Sequence, residues 1–383
     1  MDFELSQEQR MWRTAVQNFC AKHLRPYAAE FDEKAEPNLE AIAKMGELGL
    51  LGLNIPEEYG GAGMDAVSAA IAIEELGWAD GGTALSVSAH NGLGCAPITR
   101  FGSPQQKEAW LPGLATGETG LGALALTEPG AGSDLVGGVS TRADLDGDEW
   151  VINGSKSWIT NASLAPVIIT LCRTSPEDSS GAFSLILVPK GALGLHIHPP
   201  EKKMGVRASP THALTFEGVR VPKENVLGQP GDGIYQALET LDGGRISIGA
   251  LSIGIARAAH EEAVRYAKDR NVFGKALAEL QATQFKIANA ESEIQAARLL
   301  VFQAAWLKDQ GKPFTLEAAV GKLFAAEMAE RVCRDAVQIL GSYGYSREYP
   351  VERMYRDVRL MTIGEGTSEI QRIVIARKVF GKK

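Results

Sequence analysis

Near its C-terminus the chain reads Thr362-Ile363-Gly364-Glu365-Gly366-Thr367-Ser368-Glu369-Ile370-Gln371-Arg372, with one carboxylate set between two glycines at the expected start of a terminal helix. Flanking glycines let backbone approach a ligand closely. A carboxylate enclosed there and stripped of water has its proton affinity raised toward neutrality, which is what a general base needs. Spacing alone does not separate Glu365 from one surface acid among the 47 Asp and Glu.

A second stretch, Leu124-Ala125-Leu126-Thr127-Glu128-Pro129-Gly130-Ala131-Gly132-Ser133-Asp134, runs a strand into a glycine-rich turn with a hydroxyl on either side. Backbone N–H groups unshielded by β-carbons can hydrogen-bond a flat heterocycle or a phosphate, and Thr127 and Ser133 add adjustable donors. A plain β-turn fits the same residues equally well. With no Walker-type lysine and no GxGxxG, the turn is neither a P-loop nor a Rossmann turn.

In Asn153-Gly154-Ser155-Lys156-Ser157-Trp158-Ile159-Thr160-Asn161, strand alternation puts Trp158 and Thr160 on one face. An aromatic plane beside a hydroxyl suits a flavin, although a lone Trp more often serves a core. Further on, Gln338-Ile339-Leu340-Gly341-Ser342-Tyr343-Gly344-Tyr345 ends a helix at its glycines, and Glu348, Arg353, Arg356 and Asp357 follow. Those charges fit a solvated face with structural ion pairs.

Three regions must position these residues. Ser6-x-x-Gln9 forms a capping box ahead of Trp12, Val16, Phe19, Cys20 and Leu24 at helical spacing, which predicts an opening amphipathic helix. Helices are also expected over 39–51 and 67–78. Another is framed by Ser103, Pro104 and Gln106 at its start and by Pro112-Gly113 at its end. From about residue 121 to 228 the pattern changes to short apolar runs, with a hairpin turn at Asp146-Gly147-Asp148 and strands over 167–172, 183–188 and 213–216. From Tyr235 onward, Leu316, Ala319, Leu323, Ala326 and Val332 recur at helical spacing without strand signals, as in a bundle. The order α, β, α is uncommon enough to inform.

At 383 residues, with 45% hydrophobic and 22% charged residues, the chain has the composition of a multi-domain globular protein. Its net charge of −8 argues against a nucleic-acid partner, since phosphate binding needs a concentrated basic surface. Cys20, Cys95, Cys172 and Cys333 are far apart with no CxxC pair and no His cluster, so they read as buried thiols in a reducing compartment rather than a zinc site or disulfide framework. Met1-Asp2-Phe3-Glu4-Leu5 has no signal-peptide core and no later window approaches a membrane span, so a soluble, unexported protein without membrane insertion is expected.

Together and in this order, the motifs closely resemble those of the acyl-CoA dehydrogenase family, in its short-chain or general bacterial type, over essentially the whole chain. The Thr127-to-Asp134 and Gln338-to-Tyr345 stretches, the latter with Glu348, Arg353 and Asp357, are similar to the family's two signature patterns. The resemblance implies a mainly α fold with a central β domain: an N-terminal α-helical domain (1–120), a β-barrel-like middle domain (121–230) and a C-terminal four-helix bundle (231–383). It implies FAD, with Leu124, Leu126, Thr127, Gly132, Ser133, Trp158, Ile159 and Thr160 at the flavin. Arg270, Phe273 and Gln281 would hold its diphosphate and adenine across a subunit interface, and Gln338, Gly341, Ser342, Thr367 and Glu369 would complete its contacts.

The resemblance further implies that Ser133, Asp242, Arg245 and Gly366 line the acyl-CoA site. Glu365 would take the α-proton while the β-hydrogen leaves as hydride to the flavin, giving a trans-2-enoyl-CoA. The thioester carbonyl would be held by the backbone N–H of the base and a flavin ribityl hydroxyl. Electrons would pass to an electron-transferring flavoprotein, in fatty-acid or branched-chain amino-acid catabolism, in a cytoplasmic homotetramer. Some branched-chain members carry the base immediately before the residue matching Arg245; here that position is Gly244, which favours Glu365. Gly364 stands where several short- and medium-chain members have Tyr, and leaves the acyl preference open. An oxygen-using relative on the same fold and a non-catalytic scaffold are the competing readings. Glu365 weighs against the baseless monooxygenases and against the scaffold, and a chain of this length lacks the extra C-terminal domain of many acyl-CoA oxidases.

Overall fold

The computed structural model describes residues 4–175 and 180–381, so the opening Met1 to Phe3 lies outside the described residues. Helix α1 (Gln7–His23) starts where the capping box predicts, Ser6 Oγ accepting from Gln9 N and Gln9 Oε1 from Ser6 N, both at 3.1 Å. Helices α2 (Leu39–Glu47), α3 (Ala66–Ala79), α4 (Gly81–Ala89) and α5 (Pro104–Thr116) follow. Helix α5 has the expected Ser103–Gln106 box, but Pro112-Gly113 does not end it; it runs on to Gly117, a left-handed cap at φ 74°. Proline removes one helical hydrogen bond, while Leu111, Leu114 and Ala115 bury a continuous face across it and carry the helix through.

The β domain is one seven-stranded sheet of β1 (Ala123–Ala125), β2 (Arg142–Asp146), β3 (Glu149–Thr160), β4 (Val167–Arg173), β5 (Phe183–Pro189), β6 (Leu195–Pro200) and β7 (Thr211–Pro222). Its order is β1-β4-β2-β3-β7-β6, with β5 also paired to β4. Asp146 faces Glu149 across the predicted hairpin, whose Gly147 takes φ 64°. Strand β6 was not expected: its alternation, Leu195-His196-Ile197-His198, lasts only four residues before two prolines, and most of the strand is exposed.

The last third supplies α6 (Gly233–Asp269), α7 (Gln281–Asp309), α8 (Thr315–Leu340), α9 (Val351–Val358) and α10 (Ser368–Val379), with α8 packed on α6, α7, α9 and α10. Helix α8 stops at Gly341, φ 61°, as the glycine signal implied. Helices from both ends of the chain share one hydrophobic core, in which Val16, Ile73 and Leu76 join Leu251, Ile255, Ala329 and Val332. Helices α3 and α6 approach closely. A β-carbon on Gly77 would lie 2.8 Å from Leu251 O, and one on Gly254 would lie 2.1 Å from Glu74 O. Charges buried by that approach are paired: Glu75 accepts from Arg13 at 2.7 Å and Arg257 at 2.5 Å, and Glu74 from Arg298 at 2.6 and 3.1 Å. An ion buried with its partner avoids the penalty of an unpaired one.

The arrangement is the mainly α chain with a central β domain that the sequence implied. All four cysteines are buried and free, and among the described residues no helix is long and apolar enough to cross a membrane.

Candidate active site

After α9 the chain winds through one 3₁₀ turn (Arg359–Thr362), and Glu365 and Gly366 then take left-handed conformations in succession, φ 51° and 91°. For glycine this conformation is free; for a glutamate it costs roughly 1–2 kcal/mol. The reversal delivers Thr367 as the cap of α10, its side chain accepting from Ile370 N at 3.3 Å. Two buried donors fix the strained turn. Lys322 Nζ from α8 and Gln371 Nε2 from α10 both donate to Gly366 O, at 2.7 and 2.9 Å, and both residues are 0% exposed.

This geometry aims the Glu365 side chain at α6. The residue as a whole is half-buried, yet its Oε2 is sealed from solvent and has no hydrogen-bond partner. Oε2 lies where a side chain at Gly244 would begin: a β-carbon there would be 1.9 Å away. Burial pushes the carboxyl up to about 7, against the smaller opposing pulls of Lys322 and Arg245. Arg245, one residue on, is buried and paired to Asp242, whose other oxygen accepts from Thr315 Oγ1 at 2.6 Å. The same Gly244 position is 3.6 Å from Leu93, which packs in a cluster with Leu124, Leu126 and Leu241. Glu365, Gly366, Asp242 and Arg245 are therefore assembled in one place, and Leu93 connects them to the strand that feeds the glycine-rich turn.

That turn is tight, with Glu128 N donating to Ala131 O at 2.9 Å and Ala131 N to Glu128 O at 3.1 Å. Above Gly130 and Gly132 there is open space, and Gly132 and Ser133 are exposed. Beneath it lies an ion pair that the sequence reading missed. Lys156 Nζ, 0% exposed, donates to Glu128 Oε1 at 2.9 Å and to Leu126 O at 3.0 Å. Glu128 also accepts from Ser140 N, Ser140 Oγ and Thr141 N at 2.7–2.9 Å. Burial would raise its carboxyl, but Lys156 and these donors outweigh that and hold it at about 2.

Between Lys156 and Ile159, β3 carries one residue more than β7 opposite, and Trp158 takes φ 63° within this bulge. The bulge interrupts the strand's alternation between Lys156 and Ile159, but exposure still alternates across Trp158, Ile159 and Thr160. Lys156 and Ile159 both turn inward while Trp158 is 60% exposed, with Thr160 half-buried beside it. Ser157 N donates to Thr127 O at 2.9 Å, which fixes the bulge to the turn.

Other predicted contact residues sit far from Glu365 within one chain. Arg270 lies 26 residues beyond Gly244, at the other end of α6, about 39 Å along its axis at 1.5 Å per residue. Phe273, in the hairpin that follows, is 96% exposed at φ 51°, and Gln281 is exposed at the start of α7. Gln338, Gly341 and Ser342 are exposed at the end of α8, 16 residues or more beyond Lys322. Glu369, by contrast, is exposed in the first turn of α10, close behind Glu365 in the chain.

Three family models match the chain: Acyl-CoA dehydrogenase, N-terminal domain over residues 6–118, middle domain over 123–219 and C-terminal domain over 231–380. The chain belongs to the acyl-CoA dehydrogenase family. It is 52% identical over 380 residues to a probable acyl-CoA dehydrogenase of Bacillus subtilis, YngJ, covering 99% of this chain and 100% of that one. It is 46% identical over 373 residues to the mouse mitochondrial short-chain specific acyl-CoA dehydrogenase, covering 97% and 90%. The butyryl-CoA dehydrogenase structure from Megasphaera elsdenii superimposes with a TM-score of 0.96 at 41% identity, covering 99% of this chain and all of that one. Acyl-CoA dehydrogenases are FAD-binding oxidoreductases.

The residues present fit that cofactor. The open space over Gly130 and Gly132 and the exposed indole of Trp158, on a turn braced by the Glu128–Lys156 ion pair, leave bare backbone and an aromatic plane available to a flat heterocycle. Lys156, Lys322 and Gln371 had no sequence signal, because a lysine in a strand or helix ordinarily reads as solvated; only its burial marks it.

Proposed function

We propose that this chain is a short-chain acyl-CoA dehydrogenase that converts a saturated acyl-CoA, of which butyryl-CoA is the type, to its trans-2-enoyl thioester and passes the electrons to an electron-transferring flavoprotein. The observation that carries the reading is the Glu365 carboxyl, its Oε2 sealed from solvent and unpartnered and its proton affinity raised to about 7. A carboxyl tuned there accepts a proton near neutral pH more effectively than an exposed one. Butyryl-CoA dehydrogenase and the short-chain enzyme among the similar proteins support the substrate class.

In this reading Leu124, Leu126, Thr127, Gly132, Ser133 and Trp158 to Thr160 hold FAD, and the chemistry that FAD supplies when bound is acceptance of a hydride from the β-carbon. Glu365 removes the α-proton from the same substrate, and its backbone N–H holds the thioester carbonyl as negative charge develops there. Gly366, Ser133, Asp242 and Arg245 border the acyl-CoA, and closing the pocket over the thioester keeps water from Glu365. Since one α6 helix separates Gly244 from Arg270 by about 39 Å, Arg270, Phe273 and Gln281 serve the cofactor of another copy, while Gln338, Gly341, Ser342, Thr367 and Glu369 complete the flavin contacts. The enzyme is accordingly an oligomer, which we take to be a homotetramer of three-domain subunits (1–120, 121–230, 231–383) in the cytoplasm.

The test is anaerobic mixing of the yellow holoenzyme with butyryl-CoA. Bleaching by wild type, with Glu365→Gln retaining the flavin spectrum and butyryl-CoA binding but not bleaching, supports the reading. Near-normal bleaching by Glu365→Gln overturns it.

A further inference from the structure

We propose that Lys322 is a positioning residue for Glu365: its buried ammonium holds the turn that aims the carboxylate and supplies the countercharge that keeps the base ionised. The inference deepens the reading of Glu365 as the base and rests on it.

Lys322 lies within α8 and is 0% exposed. Its neighbours on that helix, Ala318, Ala319, Ala325 and Ala326, are small and apolar, so packing alone would be served by Leu or Met without desolvating a charge. The position is also unfavourable for a cation in other respects. The N-terminus of α10 carries the positive end of a helix dipole, and Arg245 on α6 adds a second positive charge that lowers the ammonium's proton affinity. What offsets these terms is on the facing turn: the Gly366 carbonyl at 2.7 Å and the Glu365 carboxylate.

The charged groups that face Lys322 are Glu365 on the turn, Arg245 on α6, Glu369 on α10 and Glu327 on its own helix; those that face Glu365 are Lys322 and Arg245. Burial brings the ammonium down to about 8, so it is charged at neutral pH. Arg245 is already committed to Asp242. Lys322, by contrast, spends one of its three protons on Gly366 O, and that carbonyl belongs to the residue next to the strained Glu365. One side chain thus couples the shape of the turn to its charge.

Two variants separate the two roles. Lys322→Gln keeps a donor for Gly366 O and loses the charge, whereas Lys322→Met loses both; Lys322→Arg is the conservative rescue. The measurement is the pH dependence of anaerobic flavin bleaching by butyryl-CoA, made on FAD-loaded protein. Removing a nearby positive charge favours the protonated carboxyl, so the midpoint in Lys322→Gln moves up by about one unit or more, and Lys322→Arg returns it toward wild type. Should Lys322→Met fail to fold, Lys322→Gln alone decides. A flavin-loaded Lys322→Gln whose pH profile superimposes on that of wild type overturns the proposal. Glu365→Gln, run alongside, keeps the two readings apart: if it still bleaches, the base assignment fails first, and if it does not while the Lys322 profiles are unmoved, only the role of Lys322 fails.

Discussion

The Glu365 carboxylate occupies the space that a side chain at Gly244 would take, its Oε2 1.9 Å from the position of the missing β-carbon. Residues 121 positions apart are thereby interdependent, since the carboxyl is seated only while α6 is bare at that point. Gly244→Ala forces it aside, and a displacement of about 1 Å at the reacting atoms lowers bleaching by butyryl-CoA on the order of 100-fold, with the flavin spectrum unchanged. The same contact means that a carboxylate can arrive from α6 instead. Gly244→Glu combined with Glu365→Gly should recover measurable bleaching above that of Glu365→Gly alone; no recovery would show that the two positions do not address the same atom.

Glu365 also makes stability depend on pH. Its folded value of about 7 lies above the ordinary 4.5, so the native state holds a proton that the unfolded chain has released. The resulting stabilisation is complete below pH 4.5, is lost as pH rises toward 7 and is absent above, a change on the order of 3 kcal/mol. Denaturant unfolding of wild type against Glu365→Gln, which cannot titrate, should show a gap that changes through this window in the direction of relative loss for wild type. Parallel stability curves would contradict the buried carboxyl.

The Glu128–Lys156 pair should act on FAD retention through the turn above it. Lys156→Met leaves a buried carboxylate unpartnered, and breaking such a pair costs about 3–5 kcal/mol. Lys156→Met combined with Glu128→Leu should regain much of the lost thermal stability, yet still release flavin faster than wild type, because Leu126 O and the Ser140 and Thr141 N–H groups lose their anchor. A stable double variant with normal flavin release would remove the turn from the cofactor's support.

Exposure of Phe273 at the tip of its hairpin predicts an interface effect. Phe273→Asp and Arg270→Ala should shift sedimentation toward smaller species and weaken FAD retention together. Unchanged mass and retention in both would separate this hairpin from any subunit contact.

Much of the scaffold was legible because its signals are local. The reciprocal Ser6–Gln9 and Ser103–Gln106 boxes, the Gly147 hairpin and the Gly341 stop each depend on neighbours within a few residues. Pro112 misled because its penalty is local while the burial of Leu111, Leu114 and Ala115 that overrides it is not. For the site, the glycines beside Glu365 marked a close-approach turn but did not separate it from a surface acid; the family resemblance singled it out. The bulge at Trp158 was invisible because it is defined against β7, 50 or more residues away. Lys156 and Lys322 escaped for the same reason: a charge is known to be buried only once the elements around it are in place.

The shared core of the two helical regions has a consequence for biosynthesis. Val16, Ile73 and Leu76 emerge from the ribosome long before Leu251, Ile255 and Val332, the residues that cover them. Until the last third is made, the first hundred residues carry uncovered apolar faces, and one face of the sheet between them waits for Ile234, Ala237 and Leu241 of α6. A chain cut short near residue 230 would therefore be left adhesive both at its leading end and on one side of its sheet, a natural target for chaperones.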